Sequence, residues 1–267
     1  NLASMTHQIP NQSEQPIKAM ILAAGRGERM RPLTAITPKP LLTVRGKALI
    51  DWHVEALAKG GFKDLLINTA WLGQQIPAHF EAQKVLQAHQ NGQDGPFDTR
   101  QLSIFYSHEG RDFGAALETA GGIARALPQL GAMFWVLAGD VFAPEFTFLQ
   151  SAVDAFAASN KLAHVWLVPN PAHNPKGDFG LGGGLALNLP ADSDQPRYTF
   201  STIALYRKTF FDDLPFGNSQ GIKAALAPLL RAAMDNQQVS AELYQGPWMD
   251  VGTPARLAEL NAINSSN

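Results

Sequence analysis

Apolar residues recur along this chain in short runs separated by polar, glycine-rich breaks. Lys18 to Ala24 (KAMILAA) is a nearly continuous apolar run ended by Gly25-Arg26-Gly27, as expected of a strand buried on both faces. Leu49 to Lys59 (LIDWHVEALAK) spaces its apolar residues as a helix does, and Gly60-Gly61 stops it. A second strand is predicted over Asp64 to Ala70, so the three segments form a βαβ unit. The alternation continues with a helix in the later part of Gln74 to Gln90, a polar loop over Asn91 to Arg100, a strand over Leu102 to Tyr106 and a helix over Ala115 to Leu127. Met133 to Gly139 (MFWVLAG) is the most apolar strand and belongs near the sheet centre. A helix over Phe146 to Ala158 and a strand over Ala163 to Val168 complete a doubly wound α/β pattern.

After Pro169 the texture changes. PNPAHNPKGDFGLGGG reads as turns, followed by strands over Gly184 to Leu189 and Tyr198 to Tyr206 and a helix over Ile222 to Asp235. QGPWMDVGTPARLAEL reads as a short strand, a turn and a helix, with Thr253 as N-cap and Pro254 at the first helical position. Residues 1–17 are polar, carry Pro10 and Pro16, and predict a flexible leader rather than a signal peptide. Residues 18–267 predict a single domain in which 170–267 completes the sheet and covers the substrate cleft.

Composition narrows the chemistry. Of 267 residues, 45% are hydrophobic and 16% charged, which excludes a disordered chain. Twenty-one Lys and Arg against 23 Asp and Glu leave a net charge of -2, without the basic field of a nucleic-acid binder. Cysteine is absent, so disulfides, thiol nucleophiles and thiolate metal sites are excluded. No apolar run is long enough to span a bilayer. The expectation is a cytoplasmic protein with no membrane or nucleic-acid partner, as a monomer or small homo-oligomer.

The positive charge that is present gathers in LAAGRGERMRPLT, Leu22 to Thr34, and in PKPL, Pro38 to Leu41. Gly25 and Gly27 let backbone amides approach a phosphate chain. Arg29 is the candidate for the β- and γ-phosphates, because a guanidinium matches phosphate geometry. Lys39, flanked by Pro38 and Pro40, is the candidate at the reacting phosphate. The stretch lacks the Walker pattern and has Met30 where a dinucleotide loop carries its third glycine. Asp140 follows the central strand and Asp250 ends a later one. Two carboxylates at strand ends suit one Mg²⁺, although each alone is equally explained as a turn cap. Glu118 to Gly122 (ETAGG) reads either as a pocket border, with Glu118 near base or sugar, or as close helix packing. Gly177 to Gly180 (GDFG) reads as a sugar-side loop or a structural turn. His108 either faces the cleft or is structural, and Trp248 is placed to pack beneath Asp250.

Taken together, KAMILAAGRGERMRPLTAITPKPLLTV, the AGD at Ala138 to Asp140 and WMDVGTPARL at Trp248 to Leu257 resemble the sugar-1-phosphate nucleotidyltransferases over Lys18 to about Leu260. The resemblance implies a Rossmann-like, glycosyltransferase-A-like fold with a mixed, mostly parallel sheet, and a Mg²⁺-dependent transfer that releases pyrophosphate. It implies Arg29, Lys39, Asp140 and Asp250 as catalytic residues, with Asp140 and Asp250 on Mg²⁺. It implies Ala24, Gly25, Gly27, Arg29, Lys39, Glu118, Ala120 and Gly121 at the nucleotide, and Asp178, Gly180 and Thr202 at the sugar. LETAGGI, NPKGDFGL, YTFSTIALY and LYQGPWMDVGTP are most similar to the N-acetylmuramate α-1-phosphate uridylyltransferase branch, which implies UTP and a muramic sugar 1-phosphate in cell-wall sugar recycling. The chain departs from the wider family in lacking its Glu-Lys-Pro segment, for which Lys176 is a weak substitute, and in having Phe200-Ser201-Thr202 in place of an Asn-Ala-Gly-like run. Guanylyl transfer to mannose 1-phosphate, thymidylyl or uridylyl transfer to glucose 1-phosphate, and a non-catalytic nucleotide sensor are the rival readings.

Overall fold

The computed structural model describes residues 17–89 and 98–262. The expected leader, apart from Ile17, lies outside them, as does most of the loop expected over 91–100. The first apolar run is β1 (Ile17–Ala23), followed by a small hairpin of β2 (Thr43–Val44) and β3 (Lys47–Ala48). The amphipathic stretch that follows is α1 (Leu49–Lys59), bounded as its spacing predicts. Then come β4 (Asp64–Thr69), α2 (Gln75–His89), β5 (Ser103–His108), a short α3 (Glu109–Phe113) and α4 (Glu118–Ala126). The central strand β6 (Leu130–Ala138) leads into β7 (Val141–Phe142), α5 (Gln150–Ala158) and β8 (Ala163–Val168). The remainder is β9 (Phe179–Gly182), β10 (Leu185–Leu187), β11 (Arg197–Arg207), α6 (Leu226–Asp235), β12 (Val239–Leu243), β13 (Met249–Asp250) and α7 (Pro254–Ala262). Thr253 Oγ1 accepts from the Arg256 amide at 3.4 Å, the expected cap of α7.

Among the described residues nine strands form one mixed sheet in the order β5-β4-β1-β6-β11-β8-β12-β10-β9. β5, β4, β1 and β6 run parallel, as expected, and β12 is parallel to β8. From β11 onward the other pairings are antiparallel, and β9 also pairs with the start of β11. Among the described residues four pairings of this sheet are parallel and five antiparallel, so the sheet expected to be mostly parallel is evenly mixed, with its contiguous parallel run in the first four strands.

Strand alternation divides the core between two faces. Met20, Leu66, Phe134 and Val136 pack with α4 and α6 on one face. Ala19, Ile21, Leu65, Ile67, Trp135 and Leu137 pack with α1, α2 and α5 on the other. A third cluster is smaller and joins distant parts of the chain: Met30, Leu42, Val44, Leu49, Phe142, Val251 and Leu260. It ties the glycine loop, the β2–β3 hairpin, β7, and the segment from β13 to α7 into one body. Among the described residues no helix is long and apolar enough to cross a membrane.

Candidate active site

The loop after β1 is shaped by Gly27. Its φ of 62° is left-handed, and a Cβ there would stand 2.9 Å from Thr34 Cγ2 and 3.2 Å from Lys39 Cβ. The Gly27 carbonyl accepts from the Met30 amide at 2.9 Å and from Thr34 Oγ1 at 2.7 Å, which closes the loop over the buried Met30. Gly25 meets no such demand: a Cβ there would find nothing within 4 Å and its φ is ordinary. Its missing side chain leaves open space above the loop. Arg29 is exposed, with no hydrogen bond or ion pair among the described residues. Arg26 stacks on Trp71 at 4.7 Å and faces Glu28 at 3.8 Å.

Lys39 is buried at 7% exposure between its two prolines, and its Nζ donates to Asp140 Oδ2 at 2.6 Å. Asp140 follows Gly139, whose amide donates to the Leu22 carbonyl at 2.8 Å. A Cβ on Gly139 would approach that carbonyl oxygen to 3.1 Å, so glycine lets the strand end lie against β1. Asp250 is brought to the same turn by backbone pairing from the far end of the chain, although it walls neither cavity. β13 pairs antiparallel with β7, Asp250 opposite Val141, and the Val251 amide donates to the Asp140 carbonyl at 3.1 Å. Arg256 Nη1 donates to Asp250 at both its carbonyl and Oδ2, each at 3.1 Å, and His173 Nε2 stands 3.4 Å from the same Oδ2. Gly252 permits this fold-back, since a Cβ there would meet Arg256 Nη1 at 2.6 Å. The Oδ1 atoms of both acids accept no hydrogen bond among the described residues. Two carboxylates with a free oxygen each match the hard oxygen donors that Mg²⁺ takes, in company with waters and phosphate. Among the described residues no group of three or more His, Cys, Asp or Glu is arranged to hold a metal.

Two adjoining cavities open above the sheet. One, of about 310 Å³, is walled by Ala24, Gly25, Lys39, Asp140, Asn68, Glu109 and Glu118. The other, of about 600 Å³, is walled by Asp178, Phe179, Phe200, Thr202, Tyr206, Leu226 and Arg231. Leu22, Glu118, Thr119 and Ala138 border both. Glu118 and Thr202 have left-handed φ values of 61° and 70°. Non-glycine residues so placed cost about 1–3 kcal/mol each and concentrate at functional sites. Thr202 sits where the β11–β8 register shifts, and its Oγ1 accepts weakly from the Ala138 amide at 3.4 Å.

Three expected contacts lie elsewhere. Ala120 and Gly121 are buried in α4, and their amides both donate to the Ala224 carbonyl, at 2.9 and 3.1 Å. A Cβ on Gly121 would strike the Ile222 carbonyl oxygen at 2.5 Å, so the glycine serves helix packing. Gly180 is buried within β9, where a Cβ would stand 2.3 Å from Leu189 Cδ1. His108 does not wall either cavity, and its Nδ1 lies 3.1 Å from Thr69 Oγ1. Trp248 donates to the Ser201 carbonyl at 3.1 Å, bracing the irregular part of β11.

Sequence reasoning passed over Asn68, Glu109 and His53. Asn68 Oδ1 accepts from the Ala23 amide at 2.8 Å, and its Nδ2 donates to Glu109 Oε1 at 2.7 Å. Glu109 Oε2 accepts from the Leu117 amide at 2.7 Å. Burial raises the Glu109 pKa, and the hydrogen bonds from Leu117 and Asn68 oppose that rise. His53 Nε2 donates to the Val141 carbonyl at 2.7 Å, beneath the turn that carries Asp140. Burial pushes its pKa down to about 4, so the ring is neutral near pH 7. A strand amide acceptor and a helix histidine carry no pattern that marks them in advance.

With this geometry in view, residues 18–181 match the family model described as nucleotidyl transferase. The chain belongs to the nucleotidyl transferase family. It is therefore an enzyme of the nucleotidyltransferase class. This nucleotidyl transferase is 44% identical to the N-acetylmuramate alpha-1-phosphate uridylyltransferase of Neisseria meningitidis serogroup B (strain ATCC BAA-335 / MC58), over 92% of this chain and 98% of that one. It is 28% identical to the protein of the same name from Caulobacter vibrioides, over 92% and 99%. Among solved structures, a UTP-bound UGPase from Acinetobacter baumannii superposes with a TM-score of 0.71 at 16% identity, over 94% of this chain and 93% of that one. These likenesses bear out the expected glycosyltransferase-A-like, Rossmann-related fold.

Proposed function

We propose that the protein transfers the uridylyl group of UTP to N-acetylmuramic acid α-1-phosphate, giving UDP-N-acetylmuramic acid and pyrophosphate. The observation that carries this reading is the near full-length likeness to the Neisseria enzyme of that name, on a chain whose cavity beside Lys39 and Asp140 adjoins a second one across Leu22, Glu118, Thr119 and Ala138. UTP lies with its phosphates over Ala24 to Arg29, where Gly25 leaves room for close backbone approach. Arg29, exposed and unpaired among the described residues, holds the departing pyrophosphate. Residues 18–262 act as one catalytic unit, with the part after 170 supplying the acceptor side and Asp250.

In the reaction, an oxygen of the sugar phosphate attacks the α-phosphorus of UTP. The new P–O bond forms as the bond to the β-phosphate oxygen breaks, and pyrophosphate takes that electron pair. The phosphate monoester is already mostly anionic near neutral pH, so no protein base is required. Lys39, held by Pro38 and Pro40, offers its ammonium to the phosphate oxygens. Asp140 and Asp250 would hold Mg²⁺, which supplies charge neutralisation between the two anions when bound. Asp178 and Thr202, on the wall of the larger cavity, face the sugar.

The test is a matrix of nucleoside triphosphates against sugar 1-phosphates, with Mg²⁺ and pyrophosphate release as the readout. UTP with N-acetylmuramic acid 1-phosphate is expected to give the highest kcat/KM. A higher value for mannose 1-phosphate with GTP, or for glucose 1-phosphate with any triphosphate, refutes the assignment.

A further inference from the structure

The larger cavity holds one cation, Arg231, that no carboxylate pairs with among the described residues, while the acids Glu118 and Asp178 also wall it. Arg231, on α6, points its Nη1 to Asn188 Oδ1 at 2.7 Å, and its guanidinium lies 5.0 Å from the centre of the Phe179 ring. Asn188 is held in turn, its Nδ2 donating to Asp235 Oδ1 at 3.0 Å. Among the described residues no carboxylate pairs with Arg231. Asp178 walls the same cavity, but its Oδ2 accepts from the Phe200 amide at 2.8 Å and its Oδ1 from Asn174 Nδ2 at 3.1 Å; only its carbonyl meets Arg231, at 3.5 Å. Around Arg231 the wall is mostly apolar, with Val136, Phe179, Phe200, Leu226 and Leu230, and Glu118, Thr119 and Thr202 are its other polar members. It also includes Tyr206, whose buried hydroxyl has no partner. A fixed guanidinium against hydrocarbon, with its planar fork incompletely used, is a receptor for a carboxylate.

We infer that Arg231 reads the carboxylate of the acceptor sugar. The inference rests on the proposed function, and it assigns a role that the reaction itself does not require. The acceptor phosphate must reach the α-phosphorus near Lys39 and Asp140, which wall the smaller cavity. Arg231 walls only the larger one, so its charge is spent away from the reacting phosphate. N-acetylmuramic acid differs from N-acetylglucosamine by one substituent, an ether-linked lactyl group bearing a carboxylate. Glucose 1-phosphate and mannose 1-phosphate have no such group. A bidentate contact to Arg231, with the lactyl methyl against the apolar wall, selects the muramic sugar over its relatives.

The experiment compares N-acetylmuramic acid 1-phosphate, its lactyl amide and N-acetylglucosamine 1-phosphate as acceptors, with the full chain, UTP and Mg²⁺. For the unaltered enzyme the neutral amide is expected to have a kcat/KM lower than the acid by ~10-fold or more, the size of one lost charge-assisted pair. Arg231→Gln is expected to lower the acid-over-amide ratio to near one and to cut the preference over N-acetylglucosamine 1-phosphate by ~30-fold. Arg231→Lys is expected to restore part of both ratios. Equal use of acid and amide by the unaltered enzyme overturns the inference, and so does a variant that loses rate equally on all three acceptors. The amide comparison needs no substitution, so a poorly folded variant does not leave the question open. Failure of the unaltered enzyme to use N-acetylmuramic acid 1-phosphate at all is a different outcome and strikes the proposed function instead.

Discussion

The two cavities are built on opposite principles. The smaller one rests on four parallel strands and the loops at their ends, where single residues set the geometry: Gly27 by its left-handed φ, Gly139 by its approach to β1, Lys39 by flanking prolines. The larger one rests on antiparallel pairings between segments far apart, with a register shift near Thr202 and a cation fixed through Asn188 and Asp235. The family model covers residues 18–181, and the larger cavity takes Phe200, Thr202, Tyr206, Leu226 and Arg231 from beyond it. Under the proposed function, the difference teaches that the triphosphate is held by a short, locally encoded loop, whereas the acceptor is chosen by pairings that only the complete fold creates.

The largest predicted effect breaks the separation between the regions. Asp140 walls the smaller cavity and Asp250 comes from β13, outside both, yet Asp140→Asn and Asp250→Asn are each expected to lower kcat by ~10³-fold or more, the scale of losing a metal ligand at a charged transition state. Steady-state pyrophosphate release checks this, and a variant keeping a tenth of the rate removes that acid from the mechanism.

A second prediction concerns the seam where β7 meets β13. The His53 pKa is about 4 in the folded protein against 6.5 when unfolded, so the unfolded chain binds the proton more readily between those values. Stability from this group is complete above pH 6.5 and is lost as the pH falls towards 4, by about 3 kcal/mol in all. Urea unfolding at pH 7 and pH 4.5 is expected to show a smaller acid-induced loss for His53→Gln than for the unaltered protein. Equal losses would remove His53 from the acid response.

The two loop glycines sharpen the comparison further. Gly27→Ala forces a Cβ into a left-handed backbone beside Thr34 and is expected to cost roughly 1–2 kcal/mol, read as a lower Tm. Gly25→Ala is expected to leave Tm within about 1 °C and to raise the KM for UTP roughly tenfold, since only the ligand needs that space. A matching Tm loss for both would show that Gly25 serves the fold alone. The smallest effect is expected at Thr202→Gly: relief of left-handed strain keeps stability level or raises it by up to about 1 kcal/mol, while the KM for the sugar phosphate rises several-fold.

What the sequence disclosed follows the same division. The α1 helix, strand β8 and the central β6 were legible because their apolar spacing is local. Lys39 and Asp140 stood out in the sequence beside Pro38, Pro40 and Gly139, and Asp250 by its place two residues before Gly252. β9 looked like a turn because Phe179–Gly182 is rich in glycine, and β12 passed unnoticed because Val239–Leu243 becomes a strand only beside β8 and β10. The short α3, the β2–β3 hairpin and β7 are too brief to carry a periodic signal. Gly121 was legible as a close approach, but its partner, the Ile222 to Ala224 segment, lies a hundred residues away. Arg231 had no local mark at all; its meaning comes from what does not pair with it.

The proposed mechanism requires both halves of the chain to deliver one carboxylate each to a shared site. Crystals of the enzyme grown with UTP and Mn²⁺ in place of Mg²⁺ test this through the anomalous signal of manganese. A peak bound by both Asp140 and Asp250, beside the α-phosphate, is the predicted result. A peak held by only one of them, or by neither, contradicts it.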